Sequence, residues 1–320
     1  MQQESSSIGS VGNTGAWGDL SRELAAAVEK VGGAVVAVHG RRRIPSSGVH
    51  WRAGVVVTSN QALQRDEDIT VILPDGRSVA APLAGRDPST DLAILKLEDS
   101  QSENSKLGVP EVADLSTLKV GHAVLTAGRT SEGGVRATLA LVGVVGPAWR
   151  TWRGGALDAT VRQDRNLHPN FAGGPVIDYQ GCVLGISTPA LSRYGSVVIP
   201  ASTVERVASE LEKKGHVGRG YLGIGMVPVR VPQKLREVAE LAHEVGLMVV
   251  GVEPDSPADQ AGVTLGDVLV ALDASPLRDT DDLQAHLTAD RIGKAVKASI
   301  IRGGALTAAI ITVGERPAAM

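Results

Sequence analysis

The stretch that decides the fold runs from residue 166 to residue 175 and reads NLHPNFAGGP. Two other stretches belong with it: TSNQAL at 58–63, which follows an apolar run, and GRDPSTDLA at 85–93, which leads into one. Each of the three contains residues that favour turns: asparagine, proline and glycine in the first, serine and asparagine in the second, and glycine, proline and serine in the third. The sequence therefore predicts three polar turns carried by strands.

Together these stretches resemble the active-site segments of HtrA-like (DegP-like) trypsin-fold serine proteases. In that family the first stretch runs N-P-G-N-S-G-G-P, with the nucleophilic serine before Gly-Gly-Pro, and the second runs T-N-x-H-V-V, with the catalytic histidine fourth. Here Ala172 stands at the serine position and Gln61 at the histidine position, while Asp91 matches the aspartate of the pattern G-x-D-x-x-x-D-L-A-x-L-K. The resemblance implies a protease scaffold with one member of the triad retained.

The two replacements remove the groups that peptide hydrolysis uses. In a working triad the serine oxygen attacks the carbonyl, the histidine takes its proton and the aspartate orients the histidine. Ala172 has no heteroatom, and the neutral amide of Gln61 cannot act as a general base. Phe171, at a position where the family usually has asparagine, favours a natural loss of activity over a laboratory exchange of one serine. We therefore expect a pseudoprotease.

The rest of the site is inferred from the same resemblance. It implies an oxyanion loop of Asn170, Phe171 and Gly173, with backbone N–H groups near Asn170 and Ala172 pointing into a cleft. It also implies that Asp91 is paired with the side-chain NH₂ of Gln61. The alternative is a serine endopeptidase of the HtrA type that acts through other groups. The seven histidines offer no obvious substitute for the missing base: His168 lies on the oxyanion loop, and His50 lies upstream of Gln61 with no acidic or nucleophilic neighbour in sequence.

Composition excludes several other classes of function. The 320 residues suit two or three domains, and the net charge of −3 gives no argument for nucleic acid or an acidic membrane surface. Aromatic residues make up 2% of the chain, which argues against base-stacking platforms. No His/Cys set has metal-ligand spacing and no cofactor fingerprint is present, so we expect neither metal nor cofactor. The single cysteine, Cys182, lies in an apolar run and is expected to be a buried thiol.

The order of elements predicts a mainly β chain with two folded domains. Residues 1–16 read as a disordered tail, and a helix is expected over 19–31. Short strands then recur without intervening helices as far as residue 200, and an amphipathic helix over 200–215 follows. The resemblance makes 17–215 a trypsin-like double β-barrel of two six-stranded barrels, with 98–112 as the connector.

Residues 218–317 resemble a PDZ domain of the HtrA type. The match rests on YLGI at 221–224, SPA at 256–258, AG at 261–262 and GDVL at 266–269, which occur in the family's order. The resemblance implies that Tyr221, Leu222, Gly223 and Ile224 bind a peptide carboxylate through backbone amides and pair with the peptide as an edge strand. Two registers fit a helix over 281–289. In the one that places Leu283 and Leu287 on the core side, His286 and Ala289 are the candidate groove residues.

These expectations give a non-catalytic peptide-binding protein: a scaffold, regulator or holdase of protein quality control. Its expected partners are peptides or protein C-termini, with an active HtrA homologue as one candidate. The resemblance allows a homotrimer built through N-terminal aromatic contacts, for which Trp17 is the one candidate before the first strand. No apolar run is long enough to span a bilayer, and residues 1–15 lack the features of a secretory signal. The compartment is thus expected to be cytoplasmic unless an export segment is missing from the sequence.

Overall fold

Short runs of β-branched residues form most of the strands of the chain. The computed structural model describes residues 15–41, 44–97, 107–130, 134–192, 195–238 and 240–316. These residues form two units, one ending at His216 and one beginning at Val217. The predicted mainly β architecture is confirmed. Residues 1–14 of the expected tail and residues 98–106 of the expected connector lie outside the described residues.

The first part of unit one is a seven-stranded antiparallel sheet in the order β5-β4-β1-β2-β3-β7-β6. Its valine and leucine side chains, among them Val36, Val56 and Leu95, form a continuous buried cluster. The strands are β1 (Val35–His39), β2 (Ser46–Arg52), β3 (Val55–Ser59), β4 (Thr70–Ile72), β5 (Ser78–Ala80), β6 (Leu83–Asp87) and β7 (Leu92–Lys96).

Two features of this sheet differ from expectation. The expected six strands became seven because residues 78–87 form two short strands, at opposite ends of the sheet, on either side of Pro82. The polar segment Ser46–Arg52 was not predicted as a strand, yet it pairs with β1 and β3. Its hydroxyl groups are satisfied internally, since Ser46 donates to the carbonyl of Val38 and Ser47 to the carbonyl of Asn170.

The second part of unit one is a closed barrel in the order β12-β15-β14-β13-β8-β9. Alternate residues of these strands, such as Val124, Val142 and Val198, fill its interior. A separate hairpin, β10 with β11, extends between β9 and β12. The strands are β8 (Ala123–Arg129), β9 (Val135–Gly146), β10 (Trp149–Arg150), β11 (Ala156–Leu157), β12 (Thr160–Gln163), β13 (Pro175–Ile177), β14 (Val183–Thr188) and β15 (Val197–Pro200).

Two helices flank these sheets. Helix α1 (Ala16–Gly32) begins three residues before its predicted start, and α2 (Ala201–Lys214) ends at Gly215, which has a φ of 76°. Helix α2 is held against the first sheet by Arg52, which pairs with Glu205 and Glu212. The prediction of Cys182 as a core thiol is wrong: it is half-buried in the turn before β14, within 3.8 Å of the Lys30 amine.

Unit two is a β-sandwich-like domain with a sheet in the order β17-β18-β19-β21-β22, to which β20 adds beside β19. Its main core cluster includes Leu247, Leu269 and Ile300, and a smaller cluster consists of Val231, Val270 and Ile301. The elements are β16 (Gly220–Tyr221), β17 (Ile224–Arg230), α3 (Gln233–Val238), β18 (Val245–Val252), α4 (Pro257–Gln260), β19 (Val268–Leu272), β20 (Ser275–Pro276), α5 (Thr280–His286), β21 (Ala295–Arg302), β22 (Ala305–Thr312) and β23 (Gly314–Glu315).

A buried carboxylate fastens the turn before β19 to the end of β21. Asp267 is 1% exposed and accepts hydrogen bonds from Nε and Nη2 of Arg302, at 2.8 and 2.6 Å, and from the backbone N–H of Thr264 at 2.8 Å. The hydrogen bonds from Arg302 are the main reason that the pKa of Asp267 lies below its ordinary value. The folded state therefore favours the ionised carboxylate. The stability that this interaction contributes is fully present at pH values above the pKa of Asp267 in the unfolded chain, and it is lost as the pH falls through the lower pKa of Asp267 in the folded chain.

We predict that Asp267→Asn lowers the free energy of unfolding of unit two by about 1–2 kcal/mol at pH 7, allowing for the exposure of Arg302. The difference between variant and wild type should shrink as the pH falls through the lowered pKa of the folded state, because the wild-type carboxylate then takes up its proton. Urea unfolding followed through the amide NMR signals of β18 measures both values. Asp255→Asn, at an exposed position, is the control. An Asp267→Asn deficit that does not shrink as the pH is lowered until the wild-type carboxylate is protonated would contradict the pair.

Candidate functional site

Asp91 lies at the centre of unit one, in the tight turn between β6 and β7, with a φ of 59°. Its carboxylate is 1% exposed and accepts hydrogen bonds from the hydroxyls of Ser59 and Thr188, both at 2.5 Å, and from the backbone N–H of Gln61 at 2.8 Å. Ser59 ends β3 of the first sheet and Thr188 ends β14 of the closed barrel. One carboxylate therefore joins the two halves of unit one.

The pairing expected between Asp91 and the Gln61 side chain is wrong. Gln61 contributes its backbone N–H, while the residue itself is exposed at the start of the turn that follows β3. Two hydroxyls occupy the space beside the carboxylate instead. Burial raises the pKa of Asp91 above its ordinary value, and the hydrogen bonds from Ser59, Thr188 and Gln61 act in the opposite direction.

The oxyanion loop closes into a 3-10 turn over Pro169–Phe171. The N–H of Ala172 donates to the carbonyl of Pro169 at 3.3 Å, and the N–H of Asn170 donates to Nδ1 of His168 at 3.3 Å. The expectation that these two amides point into a cleft is therefore wrong, because both are bonded within the turn itself. Ala172 is 5% exposed and presents only a methyl group.

Glycine at position 173 lets this loop contact strands β2 and β3. Gly173 has a φ of 82°, and a Cβ atom there would lie 2.3 Å from the carbonyl oxygen of Ser47 and 2.4 Å from Oγ1 of Thr58. The carbonyl of Ala172 accepts the N–H of Ser47 at 3.0 Å. The three segments singled out in the sequence thus converge, and Asp91, the Gln61 backbone and the Ala172 loop belong to one region.

The side chain of Phe171 closes the loop on its other side. It is half-buried against β8, where a Cβ atom added to Gly128 would lie 3.0 Å from its ring. Next to it is a surface cavity of about 480 Å³ lined by Arg136, Ala137, Thr138, His168, Asn170 and Phe171.

Other polar groups near this region do not replace the missing ones. His50, on β2, is 4% exposed, and its Nδ1 lies 2.9 Å from the carbonyl oxygen of Gly108. Ser59 is the serine hydroxyl bonded to Asp91, but it is fully buried and has no access to a substrate. Within the part of the chain that the structure describes, no group of three or more His, Cys, Asp or Glu side chains is arranged to hold a metal ion.

Unit two has a separate groove of about 210 Å³ that contains all four residues expected to bind peptide. The loop that begins at Tyr221 forms one end. It is fixed by the N–H of Glu253, which donates to the carbonyl of Gly223 at 2.8 Å, and by the hydroxyl of Tyr221, which donates to the carboxylate of Glu253. Ile224 begins β17, an edge strand of the sheet. The lining residues are Arg219, Gly220, Tyr221, Leu222, Gly223, Ile224, Met226, Glu253, Thr280, Leu283, Gln284, Leu287 and Arg316.

The opposite wall of this groove is helix α5. Leu283 and Leu287 are buried as expected, at 3% and 7% exposure. The residues that line the groove beside them are Thr280 and Gln284, one helical turn apart, and the expectation of His286 and Ala289 is wrong. The wall thus offers a hydroxyl and an amide above an apolar floor, with two arginines, 219 and 316, at the groove margin.

Comparisons with known proteins agree with this geometry. A trypsin-like peptidase domain family matches residues 46–186 and a PDZ domain family matches residues 220–313. A probable periplasmic serine endoprotease, DegP-like, of Rhizobium meliloti is 32% identical over 269 residues, covering 82% of this chain and 52% of the relative. The corresponding protein of Pseudomonas fulva is 32% identical over 270 residues, covering 83% of this chain and 54% of its own length. The chain spans about half the length of these curated relatives.

Solved structures cover nearly all of the chain. A serine endoprotease from Yersinia pestis is 26% identical, with a TM-score of 0.73, and the match covers 92% of this chain and 98% of that one. The HtrA-type protease AlgW with tripeptide is 25% identical, with a TM-score of 0.73 and the same coverage. The chain belongs to the HtrA-like trypsin-fold proteins with a PDZ domain. As regards membranes, the described residues of this HtrA-like chain include no helix that is both long and apolar enough to cross a bilayer.

Sequence reasoning missed several residues of the two sites. Ser59 and Thr188 hold Asp91, and the signal for Ser59 was its place in the turn stretch 58–63. Thr188 lies outside every quoted motif, so only the closure of the barrel reveals it. Arg219 and Arg316 flank the PDZ groove from the two ends of unit two, which β16 and β23 bring together.

The geometry around Asp91 predicts unequal effects of two substitutions. Gln61→Leu should change the free energy of unfolding by no more than about 0.5 kcal/mol, because its side chain is exposed. Thr188→Val keeps the shape but leaves a buried carboxylate without one donor, at a cost of about 1–3 kcal/mol. Denaturant unfolding of both variants and the wild type provides the measurement. A loss above about 1 kcal/mol in Gln61→Leu, with none in Thr188→Val, would reverse the assignment.

Proposed function

We propose that this HtrA-like protein is a non-catalytic peptide-binding protein, a pseudoprotease that acts as a scaffold, regulator or holdase. The observation that carries the proposal is the state of the loop at 168–173. Ala172 supplies no nucleophile, and the amides of Asn170 and Ala172 are bonded inside the turn rather than available to an oxyanion. Preorganised donors of this kind are usually the largest single contribution to acyl-transfer catalysis.

The surroundings of Asp91 support the same conclusion. In an active enzyme this carboxylate orients the catalytic histidine. Here its oxygens are taken by Ser59, Thr188 and the backbone of Gln61. The retained aspartate thus has a structural role, which explains its presence without any catalytic one.

The groove of unit two supports peptide binding. It combines a loop with backbone amides, an edge strand beside it and an apolar floor, which are the requirements for adding a peptide as a further strand. AlgW, a solved relative, is described with a tripeptide. We infer that this chain binds peptides or protein C-termini there. We also propose two assemblies of this chain, a complex with an active HtrA homologue and a homotrimer.

The alternative function is a serine endopeptidase. Two observations favour this alternative: the three segments converge as the protease scaffold implies, and Asp91 is retained. It requires a nucleophile and a base from elsewhere, and none of the hydroxyl and imidazole groups described around Asp91 meets that need. We place it second.

We predict no measurable hydrolysis of casein by the wild type. Ala172→Ser alone should remain inactive, because triad members act as a unit and the new hydroxyl would have no base to take its proton. Gln61→His together with Ala172→Ser should give partial activity if the turn at 169–171 opens. The measurement is release of fluorescent peptides from labelled casein, with Gln61→His alone as the control. Robust turnover by the wild type or by Ala172→Ser would refute the proposal.

We predict that the full chain binds peptides with a free C-terminus with a Kd of about 1–100 μM, or about 5.5–8 kcal/mol. Amidation should weaken binding sharply, because a charged acceptor at the loop amides is lost. Gly223→Ala should abolish binding, since its Cβ would lie 2.1 Å from Cβ of Ser256, whereas Gly251→Ala has free space and serves as the control. Calorimetry with paired free and amidated peptides is the measurement. Equal affinities would exclude carboxylate binding without bearing on the inactivity of unit one.

A further inference from the structure

Three segments that are far apart in sequence bring an amine, a thiol and a carboxylate together on the surface of unit one. The Nζ atom of Lys30 lies 2.8 Å from Oε2 of Glu111 and 3.8 Å from Sγ of Cys182. The sulfur lies 3.6 Å from the same carboxylate oxygen. We call these three residues the Lys–Cys–Glu cluster. Neither the candidate active site nor the peptide groove uses it.

The backbone beneath the sulfur is held in a fixed turn. The carboxylate of Asp178 accepts the N–H groups of Gln180 and Cys182, each at 2.9 Å. Gly181 completes the turn with a φ of 76°. The position of the thiol is therefore determined by the turn and not by a flexible loop.

Helix α1, which carries the Lys30 amine, lies close to this turn. A Cβ atom at Gly181 would lie 2.9 Å from the carbonyl oxygen of Ala27, so helix α1 packs directly on the turn. Lys30 also donates to the carbonyl of Gln180 at 3.2 Å. Both partners are thus held on adjoining backbones, and rotation of the lysine side chain is enough to bring nitrogen and sulfur together.

The cluster is open to small reagents. The side chains of Lys30 and Glu111 are 43% and 69% exposed, and Cys182 is half-buried beneath them. Cys182 is the single cysteine of the chain, so no intrachain disulfide competes for it. Burial and the nearby Asp178 raise the pKa of the thiol, while Lys30 opposes them, so the resting group is a protonated thiol. Oxidation therefore needs a peroxide in excess.

We propose that Lys30 and Cys182 form a covalent sulfur–nitrogen bridge when a hydroperoxide oxidises the thiol. In the first step the peroxide O–O bond breaks, one oxygen bonds to sulfur to give the sulfenic acid, and water leaves; the sulfur is oxidised by two electrons and the peroxide is reduced. In the second step the Lys30 ammonium, whose pKa is raised by its bond to Glu111, gives a proton to solvent, and the free amine then attacks the sulfur. The S–N bond forms as the S–OH bond breaks, and the hydroxyl leaves as a second water with a proton from nitrogen.

The bridge fastens the last turn of helix α1 to the turn between β13 and β14. A sulfenic acid reacts with a nearby nitrogen when no second thiol is available, and the Lys30 amine is the nitrogen that the structure places beside it. A dithiol reductant reverses the reaction: its thiolate attacks the sulfur and releases the amine. The cluster is thus assigned as a reversible modification site.

The experiment treats the full chain with hydrogen peroxide and compares five proteins by intact mass and by peptide mapping without reduction. The proteins are the wild type, Lys30→Gln, Cys182→Ser, Glu111→Gln and Lys119→Gln, an exposed lysine that serves as the matched control. The wild type should fall by about 2 Da, since two hydrogens are lost on balance, and should yield a linked peptide containing both residues. Dithiothreitol should restore the original mass.

The variants separate the bridge from ordinary thiol oxidation. Lys30→Gln and Cys182→Ser should give no linked peptide, and Lys119→Gln should behave as the wild type. Glu111→Gln should form the bridge faster at neutral pH, because the carboxylate that raises the pKa of Lys30 is gone. A gain of about 16 or 32 Da on Cys182 without a linked peptide would overturn the proposal, because the sulfur would then have been oxidised without capture by nitrogen. A disulfide-linked dimer in place of the bridge, or linkage of Cys182 in Lys30→Gln, would overturn it as well.

Discussion

The buried carboxylate of Asp91 is the constraint on which unit one depends. A charge at this depth is unfavourable unless donors surround it, and burial alone raises its pKa. The donors come from both halves of the unit: Ser59 from the first sheet and Thr188 from the closed barrel. The two halves must therefore keep their register relative to one another for the carboxylate to remain satisfied. The presence of Asp91 is thus explained by stability alone.

The loop at 168–173 follows from the same convergence. Gly173 is forced against Ser47 and Thr58 by the approach of the two halves, and its backbone leaves no room for a side chain. With that end fixed, the short segment before it closes into a 3-10 turn that bonds its own amides. The scaffold of a protease is retained in this arrangement, while the donors that stabilise charge development are directed inward.

Much of the fold was readable from the sequence because its local and long-range signals agree. Alternating apolar runs predicted most strands, and residues 200–215 showed helical spacing that the structure confirms as Ala201–Lys214. The polar strand Ser46–Arg52 was missed because its serines look like loop residues until the carbonyls that they bond, from Val38 and Asn170, are known. Composition alone cannot identify a hydroxyl that is satisfied by a residue 123 positions away.

The candidate sites were predicted less completely, for related reasons. The triad positions and the groove loop were located by motif, but the donors to Asp91 were not. The backbone N–H of Gln61 has no signature in the sequence, and the Thr188 hydroxyl lies outside every motif. At helix α5 the prediction that Leu283 and Leu287 are buried was correct, yet the groove residues are Thr280 and Gln284, because the packing of the helix decides which of its sides meets the groove. Motifs thus located the sites, and packing determined their chemistry.

The central claim is that unit one has no reactive serine despite its protease scaffold. Incubation of the wild-type chain with a fluorophosphonate tests it most directly, because an activated serine hydroxyl attacks its phosphorus, displaces fluoride and is phosphonylated. The account predicts an unchanged intact mass after prolonged exposure, with and without a bound peptide, beside a fully labelled trypsin control. Stoichiometric labelling of any serine of unit one, lost on heat denaturation, would show an activated nucleophile and contradict the account.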